Sequence, residues 1–413
     1  MLYSAYELQK SMLAGASVAA QAGARWATSP LNPLAYTGAG PLVASALDVF
    51  AHAATPYGKP AFGLAETIVD GRRVPIHERR VVQRPFGDLL HFEREGLSGD
   101  PRVLVVAPMS GHFATLLRGT VERLLPRHDV FITDWADAKM VPLREGTFDL
   151  DDYIDYVIAF LEHLGAGTHV IAVCQPAVPV FAALAIMGAA GHPATPASAT
   201  LMGGPIDTRQ SPTAVNNTAT RRPFAWFERN AIATVPLGYP GAGRKVYPGF
   251  LQLAGFMSMN LGNHLISHWE MFKHLVEGDD ESAEATKKFY EEYRSVADID
   301  AAFYLQTVDV VFQRHLLPKG EFVHRGRIVD PHAIVTPLLA IEGERDDISG
   351  VGQTRAALDL ATRLSAQDKR YFLAPGVGHY GIFNGRKWRE MIAPVVEDWI
   401  ARHEPAHRRN AAD

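Results

Sequence analysis

The stretch HVIAVCQPAVP, residues 169–179, decides how the rest of this chain is interpreted. Residues 170–173 are apolar, which is typical of a buried strand in a parallel sheet. Pro176 and Pro179 follow closely, and a helix tolerates proline only near its start, where the missing N–H costs no hydrogen bond. Cys174 is therefore predicted to lie on a sharp turn between a strand and a helix.

Such a turn is the geometry of a nucleophile elbow, which lifts one side chain above the sheet and places a helix N-terminus behind it. The positive end of the helix dipole favours a thiolate over a thiol. The usual pattern is Gly-x-Ser-x-Gly, whereas Ala172 and Pro176 occupy the two glycine positions here. This stretch alone leaves two alternatives open, a nucleophile and a buried inert cysteine.

Outward from Cys174, short apolar runs alternate with stretches of helical spacing from about residue 61 onward. Such alternation predicts an α/β fold with a mostly parallel sheet. The predicted strands are residues 102–108, 129–134, 169–173, 199–203, 337–342 and 370–374. Helices are predicted at residues 149–164, 176–187 and 386–403, together with one that ends near residue 125.

The chain is expected to have four parts. Residues 1–60 are an N-terminal helical extension, 61–210 and 326–413 are two halves of the α/β core, and 211–325 are a helical cap or lid inserted where the alternation stops. The Ala-rich start suits a helix, which either packs on its own domain or helps the protein to sit on an apolar surface. Residues 27–60, rich in Pro, Gly and Ala, are expected to form an irregular connection.

The predicted cap is rich in aromatic and methionine side chains. These side chains form the core of the insertion itself or line an apolar cleft beneath it. The residues concerned are Trp226, Phe227, Tyr239, Tyr247, Phe250, Phe256, Met257, Met259, Trp269 and Met271.

Composition excludes several classes of protein. The 413 residues are 47 % hydrophobic, enough for a large core, and 40 basic against 45 acidic residues argue against nucleic-acid binding. No apolar run reaches about 18 residues, so no membrane span is expected, and the N-terminus is a poor secretory signal. The lone Cys174 excludes an intrachain disulfide and a four-cysteine metal site, and it points to the cytoplasm.

Two later loops carry an acid and a base in the order that an elbow enzyme needs, nucleophile, acid, histidine. The loop GERDD contains Asp346 and follows strand 337–342, and the loop PGVGHY contains His379 and follows strand 370–374. Because parallel strands end at one edge of a sheet, both side chains are expected near Cys174. A histidine that merely caps the last helix is the alternative for His379.

Rival residues are present for both roles. Asp347 neighbours Asp346 and points elsewhere, and we prefer Asp346, three residues after Gly343. Asp207 is a weaker candidate acid that is expected to close its own turn. His112 is expected to be a wall or supporting residue and not the base.

An oxyanion hole needs preorganised N–H donors, typically two. One is expected to be the amide of Gln175, directly after the nucleophile, and the other the amide of Met109 or Ser110, after strand 102–108. Gly111 would let that loop approach closely. No metal is expected, because the His264–His268 pair resembles the zinc motif His-Glu-x-x-His but has Leu265 in place of its glutamate.

These residues resemble an intracellular poly(3-hydroxybutyrate) depolymerase of the cysteine-nucleophile type, over nearly the whole chain. The segments that carry the resemblance are MLYSAYELQ at the start, VFITDWADAKMVPLREGTFDLDDYIDYV, AVCQP, LMGGPID, EGERDDI and GVGHYGIFNG. The resemblance implies the α/β-hydrolase fold, a Cys-His-Asp triad at Cys174, His379 and Asp346, and a polyester granule in the cytoplasm as substrate and location. The missing glycines at 172 and 176 match this family.

The resemblance implies ester cleavage through a thioester on Cys174, which releases 3-hydroxybutyrate oligomers or monomer. The alternatives are an acyltransferase that passes the acyl group to coenzyme A by thiolysis, a polyhydroxyalkanoate synthase-like enzyme, and a granule-coating protein without activity. A synthase would carry the elbow glycines. No cofactor is expected, coenzyme A would serve only as an acyl acceptor, and a homo-oligomer is left open.

Overall fold

The computed structural model describes residues 2–55, 58–259, 291–292 and 294–405. Its strands are β1 (Glu66–Val69), β2 (Arg72–Val82), β3 (Gly87–Arg94), β4 (Arg102–Val106), β5 (Asp129–Trp135), β6 (Thr168–Val173), β7 (Ser198–Met202), β8 (Ala233–Thr234), β9 (Lys245–Tyr247), β10 (Ile299–Asp300), β11 (Val323–His324), β12 (Arg327–Ile328), β13 (Leu338–Gly343) and β14 (Lys369–Ala374).

The central sheet has nine strands in the order β1-β2-β3-β5-β4-β6-β7-β13-β14. From β5 to β14 all neighbouring strands run parallel, with Val105 of β4 between Ile132 of β5 and Ile171 of β6. These strands are almost wholly buried, as expected for strands covered by helices on both faces. The predicted α/β fold with a mostly parallel sheet is confirmed, and all six predicted strands are present.

The expected start of the strand-and-helix alternation near residue 61 is wrong. Strands β1, β2 and β3 form an antiparallel unit without an intervening helix, and β3 joins the parallel part of the sheet through β5. The sequence RRVPIHERRVV does not indicate β2, because seven of its eleven side chains are exposed and five are charged. A strand exposed in this way lacks the apolar run by which a buried strand is found.

The helices surround this sheet. They are α1 (Leu2–Ala27), α2 (Ala39–Ala54), α3 (Arg118–Leu124), α4 (Leu150–Leu164), α5 (Ala177–Ala190), α6 (Ala214–Arg221), α7 (Phe224–Asn230), α8 (Gly249–Met259), α9 (Ala301–Thr307), α10 (Leu316–Lys319), α11 (Ala356–Leu360), α12 (Gly385–Lys387) and α13 (Ala393–His403). A capping box starts α4, since the Asp149 carboxylate accepts the Asp152 N–H at 2.8 Å and the reverse bond is 2.9 Å.

The expected irregular connection over residues 27–60 is also wrong, because α2 occupies much of it and packs against α1. The Ser17 hydroxyl in α1 donates to the Ala51 carbonyl in α2 at 2.9 Å. Five of the eight prolines and glycines of this stretch precede α2 or lie in its first turn, where Pro41 removes no helical hydrogen bond, and the other three follow α2 in the chain. Composition over the whole stretch therefore concealed an Ala-rich helix.

Between β7 and β13 the described residues form α6 to α10, a small sheet of β8, β9 and β10, and a two-stranded sheet of β11 and β12. The division of the chain into four domains stays a prediction. His264, His268, Trp269 and Met271 lie outside the described residues. Within the described ranges no helix is both long and apolar enough to span a bilayer.

Candidate active site

Cys174 occupies the turn between β6 and α5 with a φ of 67°. Left-handed backbone is costly for a residue with a side chain and is typical of functional sites. Two backbone bonds hold the turn: the Cys174 N–H donates to the Met202 carbonyl at 2.7 Å, and the Ala177 N–H donates to the Cys174 carbonyl at 3.0 Å. The structure thus places the thiol on the strand-to-helix turn expected from the prolines.

Two glycines directly after the neighbouring strand β7 make room for the turn and for the acid beside it. A Cβ on Gly204 would overlap the Ala177 side chain and lie 2.7 Å from the Cys174 carbonyl oxygen. Gly203 has a φ of +58°, and a Cβ there would lie 3.3 Å from Asp346 Oδ2. Gly204 therefore makes room for the elbow, and Gly203 makes room for Asp346.

Gly204→Ala is expected to destabilise the protein by about 2–3 kcal/mol, because the added methyl forces α5 and the elbow away from β7. Urea unfolding measures this loss, and ester turnover should fall with it. Gly15→Ala is the matched control, since an added Cβ in α1 meets nothing within 4 Å. A Gly204→Ala protein as stable as the wild type would show that the close packing at Gly204 is not required.

The loops after β13 and β14 bring an acid and a histidine together. His379 Nδ1 lies 2.8 Å from Asp346 Oδ2, and the two side chains are 4 % and 0 % exposed. The other carboxylate oxygen accepts the N–H groups of Ile348 and Ser349 at 2.9 and 2.8 Å. Cys174 lies close enough to the imidazole to contribute to its raised pKa. Asp346 and His379 thus form a buried hydrogen-bonded pair, with Cys174 near the imidazole.

The electrostatics favour a protonated imidazole. Burial by itself lowers the pKa of His379, but the Asp346 carboxylate and Cys174 outweigh it and hold that pKa well above its ordinary value. A base with a raised pKa near a thiol favours transfer of the thiol proton.

The rival residues lie elsewhere. Asp347 is exposed, whereas Asp346 is buried. The Asp207 carboxylate is occupied within its own turn by Arg209, at 2.8 and 2.9 Å, which lowers the Asp207 pKa against the effect of burial. His112 is buried and bridges to Val296 through its backbone. In the described part of the chain no group of acidic, His and Cys side chains has the arrangement of a metal site.

The expected oxyanion-hole residues surround the thiol. Gln175, Met109 and Ser110 all line the same cavity as Cys174. The Met109 N–H points toward the elbow, where it donates to the Gln175 side-chain oxygen at 3.3 Å. Gly111 has a φ of +89°, and a Cβ there would lie 2.7 Å from Gln252 Oε1. Which amides hold an oxyanion stays a prediction.

The cavity above Cys174 has a volume of about 440 Å³. Tyr247 and Tyr304 stack in its wall with ring centroids 3.9 Å apart, and burial raises the pKa of Tyr247 to about 12. No described residue that lines it carries a formal charge. Its aromatic residues are Phe227, Tyr247, Phe303, Tyr304 and Phe312, of which the last three were not singled out from the sequence.

Sequence reasoning also missed two residues that support the site. Glu342 at the end of β13 is fully buried, and its carboxylate accepts the N–H groups of Gly352, Thr354 and Arg355. The Thr354 hydroxyl in turn bonds both backbone groups of Gly204. The available signal was a glutamate inside the apolar run PLLAIE, since a buried carboxylate needs partners.

Sheet order, elbow and the loops at one sheet edge define an enzyme of the α/β-hydrolase fold. Residues 203–404 match the family described as PHB de-polymerase C-terminus. This match, over just under half of the chain, supports the prediction of a PHB depolymerase-like protein and a carboxylic ester hydrolase.

Similar solved structures include a thermophilic esterase from Thermogutta terrifontis, with 14 % identity, a TM-score of 0.43 and coverage of 83 % of this chain and 98 % of the esterase. Another is a monoacylglycerol lipase from Paleococcus ferrophilus, with 16 % identity, a TM-score of 0.42 and coverage of 73 % and 94 %. The comparison with curated proteins finds no match.

Proposed function

We propose that this protein cleaves the ester bonds of poly(3-hydroxybutyrate) with Cys174 as nucleophile, His379 as base and Asp346 as its orienting acid. The observation that carries the proposal is the buried Asp346–His379 hydrogen bond, with Cys174 near the imidazole and lining a cavity that has no formal charge. The family match over residues 203–404 supports the polyester as substrate.

In the first step, His379 takes the Cys174 proton and the sulfur attacks an ester carbonyl of the polymer. Asp346 stabilises the imidazolium, while the Gln175 N–H and an amide of Met109 or Ser110 hold the oxyanion. The C–O bond then breaks, and His379 returns the proton to the departing hydroxyl end. The product is a 3-hydroxyacyl thioester on Cys174 and a shortened chain.

In the second step, His379 deprotonates a water that attacks the thioester and restores the thiol, which releases 3-hydroxybutyrate oligomers or monomer. No cofactor enters this cycle. A thioester can also pass its acyl group to another thiol, so coenzyme A as acceptor is the second candidate, and no contact of the described residues favours it over water.

The cavity suits such a chain. A polyester chain carries no charge that an ion pair could bind. It must be bound by burial of its apolar surface and by shape complementarity, and the aromatic wall from residues 227–312 provides both. The place of action that follows is a cytoplasmic polyester granule. A polymer-synthesising enzyme is disfavoured because the elbow glycines of that class are absent at 172 and 176.

Product analysis tests this function. The protein is incubated with amorphous poly(3-hydroxybutyrate) with and without coenzyme A, and the products are identified by mass spectrometry. We expect free 3-hydroxybutyrate or its oligomers at equal rates in both samples. If acyl-coenzyme A is the sole product, the reaction is thiolysis and not hydrolysis. If the polymer is not cleaved in either sample, poly(3-hydroxybutyrate) is not the substrate.

A further inference from the structure

The surface of helices α1 and α2 and of their connection is unusually apolar. We call residues 2–54 the N-terminal helix pair. Eleven of the twenty large hydrophobic side chains that are exposed in the described part of the chain belong to it. They are Leu8, Met12, Leu13, Val18, Trp26, Leu31, Leu34, Tyr36, Leu42, Val43 and Phe50. Concentrated exposed apolar surface marks an interaction site.

The exposed apolar residues follow helical spacing. On α1, Leu8, Met12 and Trp26 share one exposed face with small residues between them, while Tyr3, Ser17 and Ala20 are buried on the opposite side. On α2, the exposed face consists only of apolar residues, which are Ala39, Leu42, Val43, Ala46, Phe50 and Ala53. Both helices thus bury one side within the protein and present a second apolar side to the outside.

The net charge of the N-terminal helix pair indicates which kind of surface it binds. Residues 1–55 contain four charged side chains, Glu7, Lys10, Arg25 and Asp48, which sum to zero. Helices that lie on anionic membranes carry an excess of Lys and Arg on their polar face, and this pair has none. An apolar face of zero net charge matches an uncharged solid.

The helix pair is also joined to the cavity. Tyr6 of α1 stacks on Phe250 of α8 with ring centroids 4.0 Å apart, and the Tyr3 hydroxyl hydrogen-bonds the Asp298 carboxylate. Gln252, two residues after Phe250, lines the cavity above Cys174. Helix α8 therefore touches the N-terminal helix pair on one side and the catalytic cavity on the other.

We propose that the N-terminal helix pair is a docking surface for the uncharged aliphatic polyester solid, which it holds beside the cavity. The inference rests on the proposed function, since it takes the same polymer as partner. The docking is driven by burial of the exposed side chains against the polymer, without charge pairing.

The test uses the full chain and the triple variant Leu8→Gln, Met12→Gln and Trp26→Gln. The control carries the same change at three exposed apolar residues outside the pair, Leu143, Leu237 and Ile328. Binding is measured by sedimentation with protein-free amorphous poly(3-hydroxybutyrate) granules. Site integrity is measured by turnover of the water-soluble 3-hydroxybutyrate trimer.

We expect the helix-pair variant to bind granules at least about tenfold more weakly, with trimer turnover within about twofold of the wild type. The control should match the wild type in both. Unchanged granule binding by the variant would overturn the docking surface. So would wild-type binding to phosphatidylglycerol vesicles as tight as to granules, which would indicate a membrane, or a variant of smaller mass in solution, which would indicate an interface between copies.

The two proposals fail in different ways. If the wild-type protein cleaves the trimer and the polymer but the variant still binds granules, the docking surface alone is wrong. If the wild type cleaves neither, the proposed function is wrong.

Discussion

Cys174→Ala is expected to lower turnover of 3-hydroxybutyrate esters by at least about 10³-fold, as removal of one member of a cooperating nucleophile–base pair does. Alanine fits the same space at the turn but has no nucleophilic atom that could attack the ester carbonyl. Because the backbone N–H and carbonyl of Cys174 hold the turn through Met202 and Ala177, and its side chain does not, the fold should survive the change. Measured kcat on the soluble trimer gives the answer independently of granule binding.

Cys174→Ser is the informative companion variant. Serine has the same shape, yet its hydroxyl needs stronger activation than a thiol in the same frame, so it should retain only a small fraction of wild-type turnover. Mass spectrometry of quenched reactions should show an acyl adduct on the wild-type protein and none on Cys174→Ala. Full turnover by Cys174→Ala would end the nucleophile assignment and leave the elbow as a structural turn.

The parallel strands and the candidate site could be predicted from the sequence for one physical reason. Strands β4, β6 and β13 are buried on both faces, so their sequences are largely apolar, and the residues that follow each strand must lie at the same sheet edge. Cys174, Asp346 and Met109 all follow such strands. The order of Cys174, Asp346 and His379 in the chain then indicates a nucleophile, an acid and a base, in that order.

Other parts left no comparable pattern. Strand β2 is exposed and rich in arginine, so no periodic apolar signal distinguishes it from a loop. Helix α2 was hidden by the prolines and glycines that precede and begin it. The packing of Gly204 against the elbow depends on a contact between strands 30 residues apart in the chain, and a single sequence does not reveal which glycines meet which backbone.

Asp346→Asn is expected to reduce turnover by about 10³- to 10⁴-fold, although its amide fits the same space. The asparagine oxygen can still accept the N–H groups of Ile348 and Ser349, which leaves its NH₂ group facing His379 Nδ1. That donor forces the imidazole proton onto the other nitrogen, the one that must accept the Cys174 proton. The variant also loses the carboxylate that raises the pKa of His379, so the pH at which turnover declines on acidification should fall.

Asp347→Asn is the matched control, with the same chemical change one residue away on an exposed side chain. It should leave kcat within about twofold of the wild type, since exposed charges act weakly on a buried site. Urea unfolding should show that both variants are folded. A loss of turnover by Asp346→Asn would then come from the wrong tautomer of His379 and not from unfolding. If Asp347→Asn abolishes turnover and Asp346→Asn is mild, the orienting acid is Asp347. The contact between Asp346 and His379 would then serve the fold alone, because a catalytic pair cannot exchange its carboxylate for an amide and keep its rate.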